Sequence, residues 1–319
     1  MNMKEDHHIV CIGGGTGLST MLRGLKAYTD NLTAIVTVAD NGGGSGILRR
    51  EMNILPPGDI RNCILALAET ESLMNQVLGY RFTEGSLEGQ NLGNLFIAAL
   101  NNILGSFELA VEKFNEVLAV KGRVLPVTVE NIQLCALFDD GTITTGETEI
   151  VDQSKMKSKA IQKMYLEPDS PKAYDKAVQA LKTADTIVLG PGSLYTSIIP
   201  NLLVCGIGDA IKQSTAKVVY VSNIMTQPGE TDHYTLKKHI DVIEEYLGKG
   251  IVNYIIVNDK EIDEEVLFLY EEDGAQQVVV DLISNESRTV VRSSLAKINT
   301  EDCYIRHNSE ELAKVIINL

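Results

Sequence analysis

Residues 9–18 read Ile-Val-Cys-Ile-Gly-Gly-Gly-Thr-Gly-Leu, and the reading of that stretch decides the fold. A short apolar run breaks on glycine, after which Leu18, Met21, Leu22 and Leu25 recur at the spacing of one helical face. The pattern is strand, glycine turn, helix. A second β-branched run over 32–39 stops at Asp40-Asn41-Gly42-Gly43-Gly44-Ser45-Gly46, so the N-terminal region has βαβ character and its strands pair in parallel if the helix is the crossover.

Further out, Pro56-Pro57-Gly58 interrupts the chain and Asp59 is a candidate N-cap for an apolar helix through Ile60, Ile64 and Leu67. Asn91 similarly precedes Leu92, Leu95, Phe96, Ala99 and Ile103. Residues 124–150 are rich in β-branched types, Thr and Gly, which predicts short antiparallel strands and a mixed sheet. Apolar runs at 186–189, 218–221 and 251–257 each end in small polar residues, and helical spacing recurs at 174–181, 202–211, 234–247 and 310–317. With no repeat or linker, the expectation is one α/β unit spanning residues 1–319, with a helical insertion near 70–120.

The chain carries 43 acidic and 28 basic side chains, a formal charge of -15 that repels nucleic acids and anionic membranes. An anionic ligand must then be held by oriented amides and helix N-termini. The five cysteines, Cys11, Cys63, Cys135, Cys205 and Cys303, are scattered without a Cys-x-x-Cys pair and read as buried reduced thiols. No stretch approaches 18 apolar residues, so the expectation is a cytoplasmic chain with no membrane insertion.

Glycines gather where parallel strands end, which is where open α/β sheets bind ligands. Gly13, Gly14, Gly15, Thr16 and Gly17 let backbone approach a phosphate, or form only a tight turn. The spacing is neither a dinucleotide fingerprint, because Leu18 stands where glycine is needed, nor a P-loop. Asp40 could meet a ribose hydroxyl, hold a metal or a reacting hydroxyl, or cap its own turn. Asn41, Gly43 and Ser45, with Arg49 and Arg50 nearby, form a second anion cradle or a surface loop. Asp59, Arg61 and Asn62 converge at one helix start, where Arg61 clamps a phosphate or pairs with Asp59; Asn91 and Asn94 make a similar polar start. Gly190, Gly192, Ser193, Tyr195 and Thr196 form another strand-to-helix loop, whose aromatic ring could stack on a base. Ser193 lacks a nucleophile-elbow context, and the five histidines supply no base partner and no metal spacing. No catalytic residue and no metal ligand is assigned.

Six blocks in order, IGGGTGL (12–18), ADNGGGSG (39–46), PPGDIRNC (56–63), NLGNL (91–95), LGPGSLYTS (189–197) and SNIMTQPGET (222–231), resemble the YvcK-like gluconeogenesis factors, in a superfamily shared with the CofD-type 2-phospho-L-lactate transferases. The resemblance covers nearly the whole chain. It implies a Rossmann-like three-layer α/β/α fold with a mostly parallel central sheet and some antiparallel strands. It also implies a cytoplasmic bacterial protein needed for growth and cell shape on gluconeogenic carbon, binding a UDP-sugar, UDP-N-acetylglucosamine in particular, and coupling it to cell-wall precursor supply. Carried over residue by residue, the ligand site adds Asn223, Thr226 and Gln227 to the loop residues above, with Tyr270 and Arg306 placed to meet the sugar nucleotide. Departures are Gln90 in place of His, and Asn41 and Gly44 in place of Asp and Ser, which weaken a metal or general-base role. The Gly-Pro-Gly-Ser-Leu-Tyr-Thr loop differs from the Gly-Pro-Ser-Asn-Pro type of the transferases, which argues against phospholactate.

Three classes follow: a nucleotide-sugar sensor read by a cytoplasmic regulatory partner, a CofD-type transferase with Asp40 or Asp59 holding a metal or taking a proton, and an NAD-dependent oxidoreductase. No cofactor is required by the first, in which NAD could still sit as a bound dinucleotide; a homo-oligomer is allowed.

Overall fold

The structure, a computed structural model, describes residues 7–69, 72–157, 159–299 and 304–319. Its centre is a seven-stranded sheet built from β1 (Ile9–Gly13), β2 (Leu32–Val36), β3 (Arg123–Pro126), β7 (Thr186–Leu189), β8 (Lys217–Val221), β9 (Tyr254–Asn258) and β10 (Thr289–Ser293). The order is β10-β9-β8-β7-β1-β2-β3, and every pairing is parallel. A separate antiparallel sheet holds β4 (Gln133–Phe138), β5 (Ile143–Thr145) and β6 (Ile161–Glu167), and a two-stranded ribbon holds β11 (Ala296–Ile298) and β12 (Ile305–His307). The fold is α/β and Rossmann-like.

Strands β1, β2 and β7 are buried at every position, as parallel strands covered on both faces must be, so their sequences run apolar without alternating. One helical group, Gly15–Leu25 with Gly58–Leu67 and Ser309–Ile317, packs together; another joins Asp175–Lys182, Ile207–Gln213 and Leu236–Leu247. From β1 the chain steps outward to β2 and β3, then returns on the other side of β1 to β7 and steps outward again. The boundary between β1 and β7 is therefore the topological switch point, and the crevice beyond its strand ends is the expected ligand position.

The expected insertion is present as helices Ser72–Gly79, Leu92–Leu104 and Phe107–Val117 between β2 and β3. Three expectations are corrected. Residues 123–126 are not an antiparallel strand: the long insertion carries the chain over as a crossover, so β3 pairs in parallel with β2, and the antiparallel strands stand in their own sheet rather than mixing the central one. Asp59 is not the N-cap of its helix; Pro57 is, and Gly58–Leu67 begins two residues earlier than expected, with the Pro57 carbonyl accepting the Arg61 amide at 2.8 Å. Cys11, Cys63 and Cys135 are buried, but Cys205 is exposed; Cys303 lies outside the described residues. No helix among the described residues is long and apolar enough to cross a membrane.

The helix Gly15–Leu25 crosses the C-terminal helix so closely that a Cβ on Gly24 would lie 1.9 Å from the Ser309 carbonyl oxygen. Gly208, in contrast, sits in a helix with open space around it. Gly24→Ala is expected to destabilise by about 1–3 kcal/mol through overpacking, whereas Gly208→Ala gains up to about 1 kcal/mol from lost unfolded-state entropy. Denaturant melts of the two variants check this; equal stabilities would contradict the close approach.

Candidate functional site

A cleft of about 650 Å³ opens at the switch point, lined by residues that follow β1, β7 and β8. Gly14 is the N-cap of the first helix, extended at φ -165° and without a side chain to satisfy the first-turn amides, so those of Thr16 and Gly17 are presented to the cleft. The glycines are also demanded by neighbours. A Cβ on Gly17 would sit 2.5 Å from the Pro191 carbonyl oxygen, and one on Gly14 would sit 2.6 Å from Asp59 Oδ2 and 2.9 Å from Thr37 Cγ2. Gly15 is left-handed at φ +64°.

The second wall is Gly192 and Ser193. Asn223, Thr226 and Gln227 make the third: Asn223 Nδ2 donates to Gln227 Oε1 at 3.1 Å, and Thr226 exchanges bonds with the Gln276 backbone at 2.7 and 2.9 Å. The far wall comes from the C-terminal segments. Tyr270 and Tyr304 meet edge to face with centroids 5.9 Å apart, and the Arg306 guanidinium stands 5.1 Å from the Tyr304 ring. Tyr270 Oη accepts the Ile305 amide at 2.7 Å, which ties this wall to β12. His307 also lines the cleft; it bonds the Ser222 carbonyl, and burial pushes its imidazole down to about 4, so it is neutral at pH 7.

The other sequence candidates form a polar cluster behind the cleft or packing around it. Asp59 accepts the Gly15 amide; burial first, then the neighbouring Asp40 charge, pushes its carboxyl up to about 6. Glu147 is raised well above the usual carboxylate range by desolvation and by Asp40, Asp59 and Glu230. Arg61 is buried, which draws its guanidinium down to about 10, and it spends its donors on Asn94 Oδ1 at 3.0 Å and Asn62 Oδ1 at 2.6 Å. Asn94 reaches Ser45 Oγ at 3.5 Å, and Asn91 caps its helix through the Gly93 and Asn94 amides. Asp40 Oδ1 accepts the Gly42 amide at 2.8 Å, and Asn41 bonds Glu149 and the Thr148 amide. None of these ten residues, Asp40, Asn41, Gly43, Ser45, Asp59, Arg61, Asn62, Asn91, Asn94 and the strand-end Gly13, lines the cleft.

Two readings need correction. Tyr195 does not offer a ring to a base: it is 3% exposed and its hydroxyl meets Tyr234 Oη at 2.9 Å, because the helical turn Leu194–Ile198 rotates it into the core. Arg61 meets side-chain amides with both of its bonded nitrogens rather than reaching the cleft as a clamp. Gly190 and Thr196 are buried beside the cleft, with Thr196 Oγ1 2.7 Å from Ser193 Oγ. Sequence reasoning missed Thr20, Lys155, Asp273, Tyr304 and His307, all of which line the cleft. Tyr304 had a signal, an aromatic two residues before Arg306; Lys155 had none, on a helix with little apolar patterning. Among the described residues no group of three or more His, Cys, Asp or Glu is arranged to hold a metal.

A parallel sheet with glycine turns meeting at its switch point defines a Rossmann-like α/β protein. A model described as 2-phospho-L-lactate transferase CofD matches residues 9–296, and the chain belongs to the CofD family. It is 44% identical over 316 residues to a protein named gluconeogenesis factor from Halalkalibacterium halodurans, covering 99% of this chain and 97% of that one. The gluconeogenesis factor of Bacillus subtilis is 40% identical over 320 residues, with 99% of both chains covered. A solved protein of the UPF0052 family from Bacillus halodurans superposes with a TM-score of 0.91 at 42% identity, covering 98% of this chain and 99% of the other.

The raised Asp59 carboxyl has a definite sign in stability. Below its ordinary value of 3.8 it is protonated in folded and unfolded chains alike; as pH rises towards about 6 the unfolded chain ionises more readily, so stability is lost across that window. Asp59→Asn, which keeps an acceptor for the Gly15 amide, is expected to gain in melting temperature relative to the parent between pH 4 and 7. A constant difference across thermal melts at four pH values would contradict this placement.

Proposed function

We propose that the protein is a gluconeogenesis factor that binds a UDP-sugar, UDP-N-acetylglucosamine in particular, in the switch-point cleft as a regulatory ligand. The observation that carries the reading is the pairing, in one cleft, of a helix N-terminus whose N-cap Gly14 has no side chain with Arg306 and the Tyr270 and Tyr304 rings on the facing wall. A helix N-terminus favours a diphosphate, and Arg with aromatic edges suits the remaining charge and flat surface of a nucleotide. The names of the relatives support the gluconeogenic setting. In this reading the protein works in the bacterial cytoplasm, is read by a partner protein, and supports cell-wall precursor supply and cell shape on gluconeogenic carbon.

A transferase reading draws on the family description and on the raised carboxyls of Asp59 and Glu147, which sit beside Asp40 where a proton could be taken. The same carboxylates stand outside the cleft lining, which favours the regulator. NAD chemistry loses its ribose anchor, since Asp40 holds the Gly42 amide away from the cleft.

UDP-N-acetylglucosamine at a hundredfold over its dissociation constant is expected to stabilise the fold by about 2.7 kcal/mol. Arg306→Gln should weaken binding about tenfold or more, in line with the loss of a charge-assisted bond. Prolonged incubation, with magnesium and candidate acceptors included, should leave the ligand intact. Absence of any thermal shift across UDP-sugars would sink the regulator reading, and a transfer product would replace it with the second.

A further inference from the structure

The hydroxyls of the turn after β7 are committed within the protein. Ser193 Oγ donates to the Glu230 carboxylate, and the same carboxylate accepts the Tyr195 amide at 3.3 Å and the Thr196 amide. Glu230 is 9% exposed. Burial pushes its carboxyl up while these three donors draw it back. Amide N–H groups cannot reverse their direction, so they fix Glu230 as an acceptor. Thr196 Oγ1 donates its one proton to Ser193 Oγ at 2.7 Å, which fills one acceptor position of Ser193 and leaves one.

A serine hydroxyl has one proton and two acceptor positions. With the proton held by Glu230, Ser193 can turn only a lone pair towards the cleft that it lines. A lone pair repels a phosphate oxygen and receives a hydroxyl. The neighbouring backbone narrows the choice further: a Cβ on Gly17 would lie 3.1 Å from Gly192 Cα, so Ser193 sits next to the helix N-terminus suited to a diphosphate. In a sugar nucleotide the groups flanking the diphosphate are two sugars, both carrying hydroxyls, and the base lies further off.

We propose that Ser193 is a specificity-determining residue that accepts a hydrogen bond from a sugar hydroxyl of the bound nucleotide sugar, and that Glu230 is the positioning residue that sets this polarity. The inference rests on the nucleotide-sugar reading above. It divides the glycine turns by role: the turn after β1 takes the phosphates, and the turn after β7 reads a hydroxyl.

Calorimetric affinities for UDP-N-acetylglucosamine, UDP, UMP, and 2′-deoxy and 3′-deoxy UDP, measured on the parent, Ser193→Ala and Ser193→Thr, test it. Ser193→Ala is expected to weaken ligands that carry the contacted hydroxyl by about tenfold, as for one lost hydrogen bond. It should leave unchanged the ligand lacking that hydroxyl, whether a deoxyribose form or the hexose-free UDP, and Ser193→Thr should behave as the parent. A loss that grows from UMP to UDP at constant sugar content, or one that is uniform across the set, overturns the proposal, as does a Ser193→Ala variant that binds every ligand like the parent. Failure of the parent to bind any of them would instead sink the nucleotide-sugar reading beneath it.

Discussion

Two turns compete for one space at the centre of this molecule. Because β1 and β7 are parallel neighbours, the turns at their carboxyl ends converge, and the first residues of the helix after β1 touch the Pro191–Gly192 backbone. Gly17 makes that contact at the start of the helix, and Gly24, seven residues on and so on the same face, makes the contact with Ser309 near its end. With side-chain atoms missing at both points, the helix is held against backbone at each end. Its N-terminus is thereby aimed along the crevice, and the walls supplied after β8 and by the C-terminal ribbon close around that direction.

The same crowding explains the buried charges. Asp59 reaches the Gly15 amide only because Gly14 has no Cβ to occupy the position of its oxygen. An amide bond lowers the carboxyl, but desolvation and Asp40 outweigh it, so the group is pushed up to about 6 rather than down. Arg61 is buried nearby with amide partners on two of its nitrogens and none on Nε. Polar groups so placed stabilise little by themselves; they fix how the turns after β1, β2 and β7 sit against one another.

The parallel core was legible in sequence because buried strands leave continuous apolar runs, and the glycine turns were legible because each run stopped on them. Residues 123–126 were not, since four residues look alike in a parallel edge strand and in a hairpin, and only the path of the helical insertion separates the two. Membership of the cleft lining was legible at residues 14–17 and 192–193, where close backbone approach dictates the residue type. It failed at Arg61 and Tyr195: a polar helix start and a hydroxyl-rich turn carry the same letters whether the side chain faces a crevice or the interior. Lys155 enters from a segment distant in sequence, and no local pattern announces such convergence.

The chain's charge of -15 sets the remaining constraint on any anion in the cleft. Long-range repulsion is screened beyond about 8 Å at physiological ionic strength, so what matters is the charge within that radius. There the helix N-terminus, Arg306 and Lys155 are favourable, whereas Asp273 in the lining and Asp59 behind it are not. Asp59 takes the Gly15 amide for itself, and Thr16 and Gly17, next in the same turn, line the cleft. A fully ionised carboxylate in that position would compete with a phosphate for the same helix end; a carboxyl drawn up towards neutrality competes less. With its carboxyl raised only to about 6, Asp59 is still mostly ionised at neutral pH, so desolvation eases rather than removes its competition with the anion proposed for this helix end.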